Sequence, residues 1–146
     1  MERYRTVSEL TEQQISELTD LYINEFWSQN RTRQDVTKML VASDIIIGLV
    51  DECDRLIGFL RVLTDFVYRA FIFDVIVKPT HRNQSLGKKL LYSVVHHPQL
   101  QSVEYLSLYC YCLPEMIPLY ERWGFTSESG GLQLMIRPNK ISKHSC

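Results

Sequence analysis

Residues 78–89 gather Lys78, His81, Arg82, Lys88 and Lys89 around the polar or small Asn83, Gln84, Ser85 and Gly87. They stand between an apolar run, residues 71–77, and a stretch whose Leu86, Leu90, Leu91, Val94 and Val95 fall on one helical face. A helix start exposes unpaired N–H groups and carries about half a positive charge, so cations gathered there make a seat for phosphate. The ligand to expect is anionic. A second chemical candidate is Asp74, an acid inside that otherwise apolar run. Desolvation should raise its pKa toward the range of a general base; the alternative role is a buried structural acceptor that caps a loop or holds a backbone N–H. On strict alternation it lies on the face opposite Phe71, Phe73 and Val75.

The elements that must position these residues follow from periodicity. Residues 71–77 read as a strand covered on both faces, which Pro79 ends because it lacks a ladder donor. Before it, residues 45–50 and 56–63 are strand-like around the polar turn 51–54, and should pair as a hairpin that continues into an antiparallel meander. Thr11 followed by Gln14 forms a capping-box pattern ahead of Ile15, Leu18, Leu21, Tyr22 and Phe26, a helix broken at residues 28–30. Thr32 caps a second helix with Val36, Met39 and Leu40 inward. Residues 2–7 form a first edge strand. The helix after Ser85 ends near Pro98, and residues 103–111 make a strand parallel to 71–77 through a βαβ crossover. A short helix at 116–122 ends near Gly124, and residues 132–136 form the last strand.

With 146 residues, the chain is one domain, able to bury about 70% of the surface its unfolded form exposes. Sixteen basic against seventeen acidic side chains leave a net charge of −1, so no global field draws nucleic acid or an anionic membrane. The N-terminus carries no apolar core of signal-peptide length, and a cytoplasmic location is expected. Cys53, Cys110, Cys112 and Cys146 lack the number and spacing of a disulfide framework or zinc site, so no metal is called for. A nucleotide-binding loop is disfavoured because neither G-x-x-x-x-G-K-[ST] nor G-x-G-x-x-G occurs.

Arg82, Ser85 and Gly87 resemble the Arg/Gln-x-x-Gly-x-Gly/Ala signature of the GNAT superfamily of acyl-CoA-dependent N-acyltransferases. Residues 118–125, PLYERWGF, look like that family's second hallmark, a Tyr-bearing helix ending at Gly-Phe. Ser85 stands where the family usually has glycine. If the backbone there is left-handed, serine costs roughly 1 kcal/mol or more, although its hydroxyl could donate to phosphate.

The resemblance implies a single α/β (α+β) domain over residues 1–138 with a polar tail, 139–146. It also implies one mixed, mostly antiparallel sheet of about six or seven strands flanked by about four helices. It implies acetyl-CoA as cosubstrate, with pantetheine along the backbone of Val75, Ile76 and Val77. The pyrophosphate would then sit on Arg82, Asn83, Gln84, Ser85, Leu86, Gly87 and Lys88. A strand amide near Val75 would receive the developing oxyanion, and Tyr120 would supply or hydrogen-bond the proton of the departing thiolate. Tyr120 could equally be a packing residue. Asp74 is the base candidate, with Glu115 behind it. The acceptor side would be framed by residues 25–33, with Trp27 as a flat wall and Arg31 or Arg33 receiving an acceptor carboxylate, or this loop is simply solvated. The expected reaction is transfer of acetyl to a small-molecule or protein amine in a ternary complex. The alternative is a catalytically silent acyl-CoA sensor or protein-interaction module. An exposed edge in so small a sheet offers a surface for a homodimer.

Overall fold

The computed structural model describes residues 3–110, 116–128 and 130–139. Among them, five strands form one sheet in the order β1-β2-β3-β4-β5, with β1 Arg5–Val7, β2 Ile45–Val50, β3 Leu56–Thr64, β4 Arg69–Val77 and β5 Tyr105–Leu108. The first four pair antiparallel and β5 joins β4 in parallel, as the hairpin, meander and crossover readings require. Four α-helices flank it: α1 Glu12–Ile23, α2 Arg33–Ala42, α3 Leu86–Val95 and α4 Ile117–Glu121. Among the described residues no helix is long and apolar enough to cross a membrane.

The helix starts follow their caps. Thr11 and Gln14 bond each other reciprocally at 2.9 and 3.2 Å, and Gln14 Nε2 continues to the Asp54 carbonyl, tying α1 to the β2–β3 turn. Thr32 Oγ1 accepts from the Asp35 N–H at 3.2 Å. The end of α1 differs from the sequence reading. It stops at Ile23, where the Asn24 side chain donates to the Asp20 carbonyl, and Phe26 is left exposed rather than inward.

Two cores lie on opposite faces of the sheet. α3 and α4 cover Ile47, Leu60, Val62, Ala70 and Ile72, while α1 and α2 cover Val50, Leu56, Phe59 and Ile76. Ile72 and Ile76 have the same parity yet face different cores. The cause is a β-bulge: Arg61 pairs with Phe73 and Phe59 with Ile76, so one β3 residue opposes both Asp74 and Val75. Asp74 takes φ 60° there. The bulge therefore corrects the alternation argument, since Val75 packs toward α3 and Asp74 turns to the α1 side that Phe73 also faces.

Among the described residues the sheet holds five strands, fewer than the six or seven expected. β5 spans four residues instead of nine, and residues 132–136 form no ladder, with Leu132, Leu134, Met135 and Ile136 exposed. Strand propensity is realised only beside a partner edge, and no strand among the described residues pairs with this segment. Glu2, Cys112, Glu115 and the tail beyond Asn139 lie outside the described residues.

Candidate active site

The β4–β5 pairing runs from Arg69↔Tyr105 to Ile72↔Leu108 and stops, while β4 continues to Val77. From the bulge onward, Val75, Ile76 and Val77 have no ladder partner on the β5 side among the described residues. This stretch of β4 backbone lies directly ahead of the basic turn.

In that turn Asn83 and Ser85 both adopt the left-handed conformation, at φ 66° and 61°, and Ser85 is the N-cap of α3 without a side-chain capping bond. Serine thus occupies a backbone state that glycine would hold at lower cost. The first amides of α3, those of Leu86, Gly87 and Lys88, have no intrahelical acceptor. A Cβ at Gly87 would meet only Leu119 Cδ2, at an ordinary 3.5 Å, so internal packing alone does not demand glycine there. Arg82 is turned away from these amides. Its Nε donates to the Val77 carbonyl at 3.2 Å and its Nη2 pairs with Glu25 at 2.6 Å, which joins the loop to the α1–α2 connection. Gln84 Oε1 accepts from the Tyr4 hydroxyl at 2.7 Å.

On the α1 side of β4, Asp74 is the centre of a charged cluster. Its Oδ2 accepts from Tyr22 Oη at 2.9 Å, Arg31 Nη1 at 2.8 Å and Arg61 Nε at 2.8 Å, and its Oδ1 accepts from Arg31 Nη2 at 3.3 Å. The expected elevation of its pKa is overturned. Burial does push the carboxyl up, but hydrogen bonds and charge from Arg31 and Arg61 outweigh burial and hold it below the usual carboxylate range. Burial, then the Asp74 charge, drives the Tyr22 phenol far above its ordinary value. Arg31 lies over the rings of Tyr22 and Trp27, with Cζ 4.3 and 5.6 Å from their centroids. A cavity of about 280 Å³ opens between Phe26, Trp27, Ser28, Asn30, Arg31 and Asp35, so Trp27 and Arg31 do share one wall.

Tyr120 is buried on the α3 side, its ring edge-on to Phe125 at 6.4 Å. Burial, and then the charge of Cys110, two residues past the end of β5, pushes its phenol up to about 12. The structure therefore separates the two catalytic candidates, with Asp74 on the α1 face and Tyr120 in the core of the other.

Tyr22, Glu25 and Arg61 were not singled out from sequence. Arg61 carried a usable signal. It is the lone charge in the run LIGFLRVL, as Asp74 is in FIFDVIV, and opposite charges isolated in two strands that form a hairpin imply an ion pair.

A mixed sheet whose parallel pair parts ahead of a basic turn and a helix start is the architecture of the GNAT acyltransferases. The acetyltransferase (GNAT) family profile matches residues 9–125, and the chain belongs to that family. The uncharacterized N-acetyltransferase ycf52 of Porphyra purpurea is 31% identical over 108 residues, 72% of this chain and 61% of that protein. GCN5-related N-acetyltransferase 1, chloroplastic, of Arabidopsis thaliana is 28% identical over 108 residues, 71% of this chain and 54% of that one. The chain thus spans little more than half the length of these relatives. A GNAT-family protein from Xanthomonas campestris pv. campestris superimposes with a TM-score of 0.80 at 27% identity, with 94% of each chain covered.

Proposed function

We propose that this protein is an N-acetyltransferase that moves an acetyl group from acetyl-CoA to a primary amine by direct attack in a ternary complex. The observation that carries the reading is the end of the parallel pair: the β4–β5 ladder stops at Ile72, and β4 runs on to the basic turn with no partner on that edge among the described residues. Backbone groups at Val75, Ile76 and Val77 suit an extended chain of amides, which would bind there much as an added strand does. The amides of residues 82–88, with Lys88 and the start of α3, suit a pyrophosphate.

Bound acetyl-CoA would supply an activated acyl carbonyl, and the rest falls to the chain. Val75, in the bulge, has no register partner among the described residues, and we assign its N–H to the negative charge developing on the carbonyl oxygen. Tyr120, with its phenol near 12, stays protonated at neutral pH. An ordinary thiol titrates near 8.5, so the phenol stabilises a departing thiolate by hydrogen bonding rather than by giving its proton away. Asp74, held ionised by two guanidiniums, is a poor proton acceptor, and we assign it the positioning of Arg31 and Arg61. The incoming amine passes its proton to solvent.

That same locked carboxylate favours a second reading, an acyl-CoA sensor without turnover. Calorimetric titration with acetyl-CoA and, in parallel, ATP, followed by an amine screen read by CoA release, separates the two. Micromolar binding of acetyl-CoA alone with CoA release supports transfer, binding without release supports the sensor, and no binding rejects both. We also propose a cytoplasmic location, supported by the exposed thiol of Cys53. The Arabidopsis relative is named chloroplastic, and recovery of this protein in a plastid fraction would overturn the assignment.

A further inference from the structure

We propose that the acceptor amine carries a carboxylate next to a large apolar side chain, the carboxylate received by Arg61 and the side chain by Phe71, Phe73 and Tyr109. The inference rests on the acyl-transfer reading and names its acceptor class.

The cluster on β3 and β4 is not neutral. One carboxylate, Asp74, serves two guanidiniums, so one positive charge is left over. Arg31 has both Nη groups on Asp74 and its flat face on Tyr22 and Trp27, which leaves it little to offer a ligand. Arg61 is committed differently. Only its Nε reaches Asp74, and Nη1 and Nη2 make no hydrogen bond to the described residues. No buried side-chain nitrogen or oxygen among them lacks a partner, so these Nη atoms reach solvent although the side chain is 14% exposed. A guanidinium whose Nε side is occupied keeps its Nη1/Nη2 end, a fork that fits a carboxylate.

The surface beside that fork is aromatic. Phe73 lies directly opposite Arg61 in the register, its ring centroid 5.0 Å from Cζ. Phe71 stacks on Phe73 at 6.2 Å, and Tyr109 closes on both at 5.8 and 5.5 Å. The α1/α2 core takes Phe59 and Ile76 but not these three rings, which form a shelf continuous with the surplus charge. Asp74, the next residue after Phe73, opens the bulge in which Val75 would meet the reacting carbonyl. Neighbouring strands lie about 4.8 Å apart, so a carboxylate on Arg61 leaves an amine one carbon away within a residue's reach of the bulge. Free amino acids with aromatic or large aliphatic side chains combine these groups at that spacing. A polyamine would meet a like charge, and a protein lysine has no carboxylate to offer.

The test uses the purified full chain, acetyl-CoA, and three acceptors that differ stepwise: L-phenylalanine, L-phenylalaninamide and phenethylamine. kcat/KM for L-phenylalanine should exceed the other two by roughly ten- to a hundredfold, the worth of a charge-assisted hydrogen bond. Arg61→Gln should collapse that ratio, and Arg61→Lys, which keeps the charge but not the fork, should raise KM for L-phenylalanine more than it lowers kcat. A ratio insensitive to partial unfolding is the readout, so loss of stability in either variant does not mimic the effect. A ratio near one, a ratio unchanged in Arg61→Gln, or no acetylation of any of the three by protein that binds acetyl-CoA overturns the inference and leaves the acyl-transfer reading standing. Failure to bind acetyl-CoA removes that reading, and this one with it.

Discussion

The carboxylate of Asp74 meets the guanidinium of Arg61 at 2.8 Å across two strands, at the step where their register breaks. Without the bulge, Asp74 would point toward the α3 core with no cation to pair with. With it, an acid and two arginines share the α1 face, and the acid becomes an anchor for the arginines.

Asp74→Asn should cost about 3 kcal/mol in urea unfolding, because it leaves Arg31 and Arg61 facing each other without the intervening charge. The pH dependence has a definite sign. The folded-state pKa lies below the unfolded value of about 3.9, so the stabilisation is complete above that pH and fades as pH falls through the folded value. The gap between wild type and variant should therefore narrow below about pH 4, and a constant gap down to pH 3 would refute the assignment. The acid limb of the pH–rate profile near neutrality should keep its shape in the variant, whereas its loss would restore Asp74 as the base.

Ser85→Gly should stabilise the protein by about 0.5–1 kcal/mol, the relief of a left-handed serine less the entropy that glycine adds to the unfolded chain. Acetyl-CoA affinity, measured by calorimetry, should hold or rise. A drop would mean that the hydroxyl itself contacts the ligand.

Tyr120→Phe should lower kcat by on the order of a hundredfold while the Kd for acetyl-CoA stays constant. Since the phenol titrates only at about 12, the wild-type profile should show no basic limb from this residue at pH 10. Unchanged turnover would leave Tyr120 a packing residue against Phe125.

Glu25→Gln releases Arg82 from its 2.6 Å partner. Arg82 is half exposed and the pair is correspondingly weak, so acetyl-CoA should bind up to about fivefold more tightly in the variant, not more. Weaker binding would show that Glu25 holds Arg82 in place for the ligand instead of drawing it away.

Much of this fold could be read from residues in order. The meander, the crossover and both helix caps rest on local signals, namely β-branched runs, Pro79, and Thr11 and Thr32 at their helix starts. The basic turn was legible for the same reason, since its residues are contiguous. What sequence could not yield was long-range. The partnership of Asp74 with Tyr22 and Arg31 joins residues 52 and 43 positions apart, and only the closed fold brings them together. The bulge erased the parity argument because an extra residue in one strand is invisible until its partner is known. Residues 132–136 failed in the opposite way, with a pattern that fits a strand and no ladder to any strand among the described residues.

Because Asp74 resets the alternation of β4, its two halves answer to different neighbours. Deleting that single residue would remove the acid and the bulge together: Val75 would follow Phe73 opposite Leu60, and residues 69–73 and 75–77 would each keep the face they hold now. The extra residue is therefore dispensable for the packing of its neighbours, and what it adds to the strand is a carboxylate turned toward the arginines.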